Sequence, residues 1–405
     1  MKRNKLIILL IGLVLIVGAI LIVPLFSHGE EPVIDNEQDP LPQEEQLPPP
    51  DEIVTIDISC VGDIMAHSTQ LKAAYKADGT YDFADNFEYV APYIQAADVA
   101  ICNVETTFGG EPYTGYPAFS TPDILAKNLK DAGFDVAITA NNHMHDRGKN
   151  GLTRTLEVLK ANGFVTTGST ETGAEPRYAM MNVKGVDVAV IAYTYQTPSL
   201  DGGVYINGVN IPSDTAARIN SFGYENIDAE LQEIKAVVDA AKADGAEIVV
   251  LYYHWGEEYQ LTANKWQRYI AEQTEALMDV DVIFASHPHN LQEAEYVGDI
   301  PVFFSMGNFI SNQREETLGA GYKHTETGVI AQVSLEYNIT QGVLLGTKMS
   351  AIPTWVDRYT SNGQMKYSII PLDENLDGNA VLAESGHLTR AKGAKEDADG
   401  LLGID

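Results

Sequence analysis

The chain has 405 residues, 45% hydrophobic and 20% charged, and a net charge of −31. Length and composition fit one large globular domain or two ordinary ones, while so negative a surface repels the nucleic-acid backbone and disfavours DNA or RNA as a partner. With Cys60 and Cys102 as the only cysteines, neither a disulfide framework nor a Cys-built zinc knuckle is available, so any metal site must come from His, Asp, Glu and Asn.

In chain order, a basic start (Lys2, Arg3, Lys5) precedes an uncharged apolar run, Leu6 to Phe26. At about 1.5 Å per residue that run covers roughly 30 Å, one hydrocarbon core. It is longer than the apolar part of a secretory leader, and no small-x-small cleavage site follows. Residues 1–26 are therefore expected to be a cytoplasmic stub and an uncleaved signal anchor. That makes a single-pass protein of the cell membrane, N-terminus inside and main domain extracellular. Residues 27–52, ending "PLPQEEQLPPPDE", hold Pro and acid with almost nothing to bury, the composition of a disordered, self-repelling tether.

From Ile53 onward apolar runs alternate with amphipathic stretches. "VTIDISCVG", "DVAICN", "DVAITA", "DVAVIAYT", "EIVVLYYHW", "VDVIFAS" and "IPVFFSM" are β-branched and nearly continuous, as in strands covered on both faces. "PDILAKNLKDAG", "GLTRTLEVLKANG", "NIDAELQEIKAVVDAAKADG" and "NKWQRYIAEQTEALMD" have helical patterning, several ending at Gly. The alternation predicts an α/β layered fold. After about Ile310 the runs "GVIAQVSLEY", "GVLLGTKMSAIPTWVD" and "MKYSIIPLD" predict antiparallel strands, forming a second sheet packed on the first. Residues 53–372 make the domain, and 373–405, with little apolar periodicity, are expected to be a loosely ordered tail.

Each apolar run ends in polar residues. These are Asp63 and His67; Asn103 and Glu105; Asn141, Asn142, His143, His145 and Asp146; His254, Glu257 and Glu258; and His287, His289 and Gln292. In open α/β sheets ligands bind beyond the carboxyl ends of the strands. Taken singly, each residue has an ordinary reading: Asp63 as a helix cap, Asn142 as a turn residue, Glu257 and Glu258 as solvated acids. What singles them out is coincidence, for His143, His145, His254, His287 and His289, five of the nine histidines, fall within a few residues of strand ends. Imidazole mixed with carboxylate and amide oxygen suits one or two divalent ions, Mn, Fe or Zn rather than Mg or Ca.

In this order "GDIM", "NVETT", "ANNHMHDRGKNG", "HWGEEY", "SHPHNLQ" and "FSMGNFI" closely resemble the bacterial capsule synthesis protein CapA family, over about residues 53–310. That family is linked to poly-γ-glutamate production and resembles a branch of the calcineurin-like metallophosphoesterases. The resemblance implies a four-layer α/β/β/α sandwich of the metallophosphoesterase type with a two-metal centre. It makes Asp63, Glu105, Asn142, His254, His287 and His289 metal ligands, with Glu105 as the bridging carboxylate. His143 becomes the acid near the leaving group and Asp146 its orienter. Asn103, Asn141, Glu258, Gln292 and Asn308 are expected to line the site for substrate. The superfamily's first motif is Asp-x-His, whereas this chain has Met65 two residues after Asp63. His67 is a possible replacement ligand, and a mono-metal centre or a metal-free binder stays open. The expected function is metal-dependent hydrolysis in capsule-polymer synthesis or export. The alternatives are a non-enzymatic scaffold in a membrane synthase complex and a general phosphoesterase. The substrate would be an anionic polymer or a phosphoester, with Arg147, Lys149 or Arg177 offsetting the negative surface if they lie nearby.

Overall fold

β-Branched runs covered on both faces become the parallel centres of two sheets in the structure, a computed structural model that describes residues 51–404. The strands are β1 (Ile53–Ile64), β2 (Val99–Asn103), β3 (Val136–Ile138), β4 (Val165–Thr167), β5 (Ala179–Val183), β6 (Val186–Tyr195), β7 (Tyr205–Ile206), β8 (Val209–Asn210) and β9 (Ser221–Phe222). They continue with β10 (Ile248–His254), β11 (Val282–Ser286), β12 (Ala294–Val297), β13 (Ile300–Phe303), β14 (Asn308–Ile310), β15 (Thr327–Asn338), β16 (Val343–Ser361) and β17 (Gln364–Pro371). The first sheet runs β17-β16-β15-β1-β2-β3-β4, with β14 beside the end of β1; the second runs β12-β13-β11-β10-β6-β5.

Alternate residues of β1, Ile56, Ile58 and Cys60, meet Val188, Val190, Ile248 and Val250 of the second sheet in a shared core. Each such side chain contributes about 1.5–3 kcal/mol by leaving water. The outer face of the first sheet is covered by the helices Ile124–Ala132 and Gly148–Ala161 through Leu125, Leu129 and Leu159. The outer face of the second is covered by Ile227–Ala243 and Lys265–Leu277 through Leu231, Ile234, Val238 and Ile270. The predicted helix ends hold: Gly133 takes a φ of 116° and donates to Leu129 and Lys130 carbonyls, the αL stop that glycine permits. Asn264 caps its helix by accepting from the Trp266 and Gln267 amides.

Two expectations are corrected. The antiparallel strands after Ile310 do not make a second sheet. β15 pairs with β1 from Ile53↔Asn338 to Val61↔Ile330 and extends the first sheet; β1 is buried without a break from Ile58 to Ile64, so its backbone groups need a partner strand on each edge. The expected loose tail, 373–405, is ordered over its described residues, which form the helices Ala380–Ser385 and Leu388–Leu402. Ala391, Ala398 and Leu402 are buried, two alanines and a single leucine that together are too weakly apolar to show as periodicity. Cys60 and Cys102 are free thiols; the first faces the core between the sheets and the second the outer helices. Among the described residues no helix is long and apolar enough to cross a membrane. The anchor at 1–26, and the tether up to residue 50, lie outside the described residues.

Candidate metal centre

Five chain segments end at one place. A Cβ on Gly62 would lie 2.0 Å from the Gly307 carbonyl oxygen, so only glycine lets β1 and β14 touch there. The Asp63 amide donates to that same carbonyl at 2.9 Å. β2 delivers Asn103 and, two residues on, Glu105; the turn after β3 delivers Asn141 to Asp146. From the second sheet, β10 ends at His254, and β11 leads into the turn His287-Pro288-His289.

The two sheets meet through these residues. His289 Nδ1 lies 2.9 Å from Asp63 Oδ2, and His254 Nε2 lies 3.8 Å from Glu105 Oε1 and 2.8 Å from Asn142 Oδ1. The rings of His254 and His287 are 4.9 Å apart, and those of His287 and His289 5.9 Å. Asp63, Glu105 and His254 each offer a donor atom within 4.8 Å of the others, and all are buried. Beneath them Asn103 Nδ2 donates to Asp63 Oδ1 at 2.8 Å, and Asn141 Nδ2 donates to Asn103 Oδ1 at 3.1 Å.

This cluster is electrostatically unfinished. Burial pushes Glu105 well above the usual carboxylate range, and the Asp63 charge pushes it further. Burial also opposes ionisation of Asp63, but the hydrogen bond and charge of His289, with His254 behind, hold it well below its usual value. Burial lowers His254 to about 3 and His287 in the same direction, so both imidazoles are neutral with a lone pair to give. Glu105 Oε1, His287 Nδ1 and Asn308 Oδ1 are buried without any hydrogen-bond partner. Leaving one such group unpaired costs about 1–3 kcal/mol. Acceptors collected without donors are the complement of a cation, and the residue set fits one or two divalent ions.

Beside this cluster, His143 Nδ1 lies 2.8 Å from Asp146 Oδ2, which also accepts from the Phe119 amide at 2.7 Å. The Phe119 ring meets His143 edge-on at 4.7 Å.

Other expected residues are placed differently. Gln292 is buried, but its carboxamide is committed to Gln267 Nε2 and to the Gln260 and Thr262 carbonyls; it ties down a loop instead of lining the centre. Asn103 and Asn141 are sealed beneath the ligands and present nothing to solvent. Glu258 is exposed at the rim. His67 caps a short helix, its Nδ1 within 3.2 Å of the Asn312 amide, so that nitrogen is not free for a metal. The basic residues expected to offset the surface charge are engaged elsewhere: Arg147 with the Pro112 carbonyl, Lys149 with Asp214, Arg177 with the Ile219 and Ala217 carbonyls. Sequence reasoning missed Tyr259, whose amide donates to the Pro288 carbonyl at 2.7 Å and whose ring lies 6.0 Å from His289. It also missed Asn290, whose buried Oδ1 is unpartnered. "GEEYQ" carries no polar repeat that would have singled out the tyrosine; Asn290 was within reach as the residue after His289.

Residues 57–313 match the family described as bacterial capsule synthesis protein PGA_cap. The capsule biosynthesis protein CapA of Bacillus anthracis is 28% identical over 296 residues, covering 70% of this chain and 65% of that protein. The PGA biosynthesis protein CapA of Bacillus subtilis (strain 168) is 30% identical over 299 residues, covering 70% and 69%. The aligned stretch thus spans about two thirds of the length of these relatives. Among solved structures, the calcineurin-like phosphoesterase YfkN from Bacillus subtilis aligns at a TM-score of 0.43 and 15% identity, over 74% of this chain and 91% of that one. Likeness at that level says nothing about chemistry.

Proposed function

The chain belongs to the bacterial capsule synthesis protein PGA_cap family, and from that premise we propose that it serves capsule-polymer synthesis or export through a metal-dependent hydrolase-type site. Its substrate is an anionic polymer of the poly-γ-glutamate kind or a phosphoester on the route to it. The observation that supports this reading is the buried convergence of Asp63, Glu105 and His254 from two sheets. In the same reading the layers are those of a metallophosphoesterase-type α/β/β/α sandwich. Residues 1–26 anchor the domain outside the cell membrane, within reach of membrane synthase subunits, and 27–52 tether it.

Asp63, Glu105, Asn142, His254, His287 and His289 would hold the ions, with Mn, Fe or Zn favoured by the imidazoles. A bound divalent ion there supplies Lewis acidity and a nucleophile at neutral pH. The protein's own part is proton handling. Asp146 accepts a hydrogen bond from His143 Nδ1 and so orients the ring, leaving Nε2 to pass a proton to a departing amine or alkoxide. The Phe119 amide fixes Asp146, and the Phe119 ring limits water around the imidazole. Purified protein supplied with Mn is expected to cleave a phosphodiester or a γ-glutamyl amide, and His143→Ala to do so far more slowly. Equal rates from the two proteins would overturn the proposal in favour of a scaffold.

A further inference from the structure

We propose that Asn308 supplies a metal ligand, its side-chain Oδ1, to the half of the centre defined by Asp63 and His289; this rests on the metal reading above. β1 and β14 are parallel neighbours with Asp63 and Asn308 in register, so the two side chains leave the same face of the sheet. Asn308 is fully buried. Its Nδ2 donates to Gln313 Oε1 at 3.0 Å and to the Thr325 carbonyl at 2.9 Å. Both partners are acceptors in that geometry, so the nitrogen end of the amide is fixed by chemistry and the oxygen end must point the other way. That oxygen has no partner.

The surroundings close a ring around it. Gln313 Nε2 donates to the Tyr259 hydroxyl at 3.3 Å, the Tyr259 ring sits 6.0 Å from His289, and His289 Nδ1 reaches Asp63 Oδ2 at 2.9 Å. Asn308 and Asp63 are the two ends of that chain of contacts, joined by the strand register. Asp63, His289 and a bridging Glu105 leave an ion in this half short of a full coordination shell. Met65, two residues beyond Asp63, brings a soft thioether that suits Mn or Fe poorly, whereas a carboxamide oxygen suits both.

The test is isothermal titration of the full chain with Mn, paired with thermal unfolding with and without Mn. Asn308→Ala is expected to weaken one class of site by at least ~10–100-fold, the range for losing a residue that merely supports a ligand, and to leave the other class unchanged. Asn308→Asp puts a carboxylate oxygen in the same place. It is expected to melt lower without metal, because its second oxygen faces Gln313 Oε1 and the Thr325 carbonyl, yet to gain more from Mn than the wild type. An Asn308→Ala isotherm that overlays the wild-type one overturns the proposal. Should that variant fail to fold, an Mn-induced rise for Asn308→Asp equal to or below the wild-type rise overturns it instead. Wild-type protein that takes up no Mn at all would defeat the metal reading itself, a result visible before any variant is made.

Discussion

Two histidine-bearing turns border the centre, and they are built on opposite plans. In Asn141–Asp146 the polar side chains around the cluster are paired within the protein: Asn141 with Asn103 and the Val104 carbonyl, Asn142 with His254, His143 with Asp146. Only His145, with both ring nitrogens buried and unpartnered, breaks that pattern. In His287–Asn290 the His287 Nδ1 and Asn290 Oδ1 have no partner, and His287 and His289 hold φ of 109° and 57°. Lys184, Asn207 and Asn362 also have positive φ, but each is followed by a glycine in a tight hairpin turn, where such a conformation is ordinary. His287, His289 and the bracing Tyr259, at φ 67°, have no such excuse. Left-handed backbone at a non-glycine residue costs of order 1–3 kcal/mol, and it persists where function holds it in place. On the proposed reading the difference is a division of labour: the paired turn would handle a proton through His143 and lend Asn142 to the metal, while the other is left open for a cation.

Removing the buried donors that the open turn faces should have the largest effect. His254→Ala or Asp63→Ala is expected to abolish metal uptake, because each removes a buried donor on which the cluster converges; titration calorimetry with Mn checks this. Breaking the His143–Asp146 pair of the finished turn should spare the metal. His143→Ala is expected to lower turnover by ~10²–10⁴-fold, the usual worth of a positioned acid, with metal content unchanged. A fall in metal content would merge the two roles. Stability sharpens the contrast further. Metal at a hundred times its dissociation constant should stabilise the wild type by about 2.7 kcal/mol over chelator-treated protein. Asp146→Asn should keep that gain and His287→Ala should lose most of it, as read by denaturant melts. A smaller effect is expected under the strands, where Gly62→Ala forces a Cβ against the Gly307 carbonyl and should cost about 3 kcal/mol of stability. Smallest of all, Lys149→Ala removes an exposed pair with Asp214 beside the finished turn and should change neither melting temperature nor turnover.

Much of this was legible in the sequence. Strands covered on both faces announce themselves as unbroken β-branched runs, so the parallel centres of both sheets, and with them the positions of Asp63, Asn103 and His254, could be read directly. What failed was pairing between distant segments. Nothing local tells β15 to lie along β1, because any apolar edge of the right length would accept it. The C-terminal helix packs through Ala391 and Ala398, which add little to a hydropathy pattern. Gln292 was misplaced because a polar residue two positions from a histidine looks like lining until its three partners, all elsewhere in the loops, are known. The Asn308 amide could be suspected of lining the site, yet its orientation depends on Gln313 and Thr325, which no spacing rule connects to it.

The most direct test of the central claim is elemental analysis of the purified protein after dialysis, alongside Asp63→Ala and His254→Ala. The account predicts one to two equivalents of Mn, Fe or Zn in the wild type and background levels in both variants. Wild-type protein that stays metal-free even after incubation with each of these ions would contradict it.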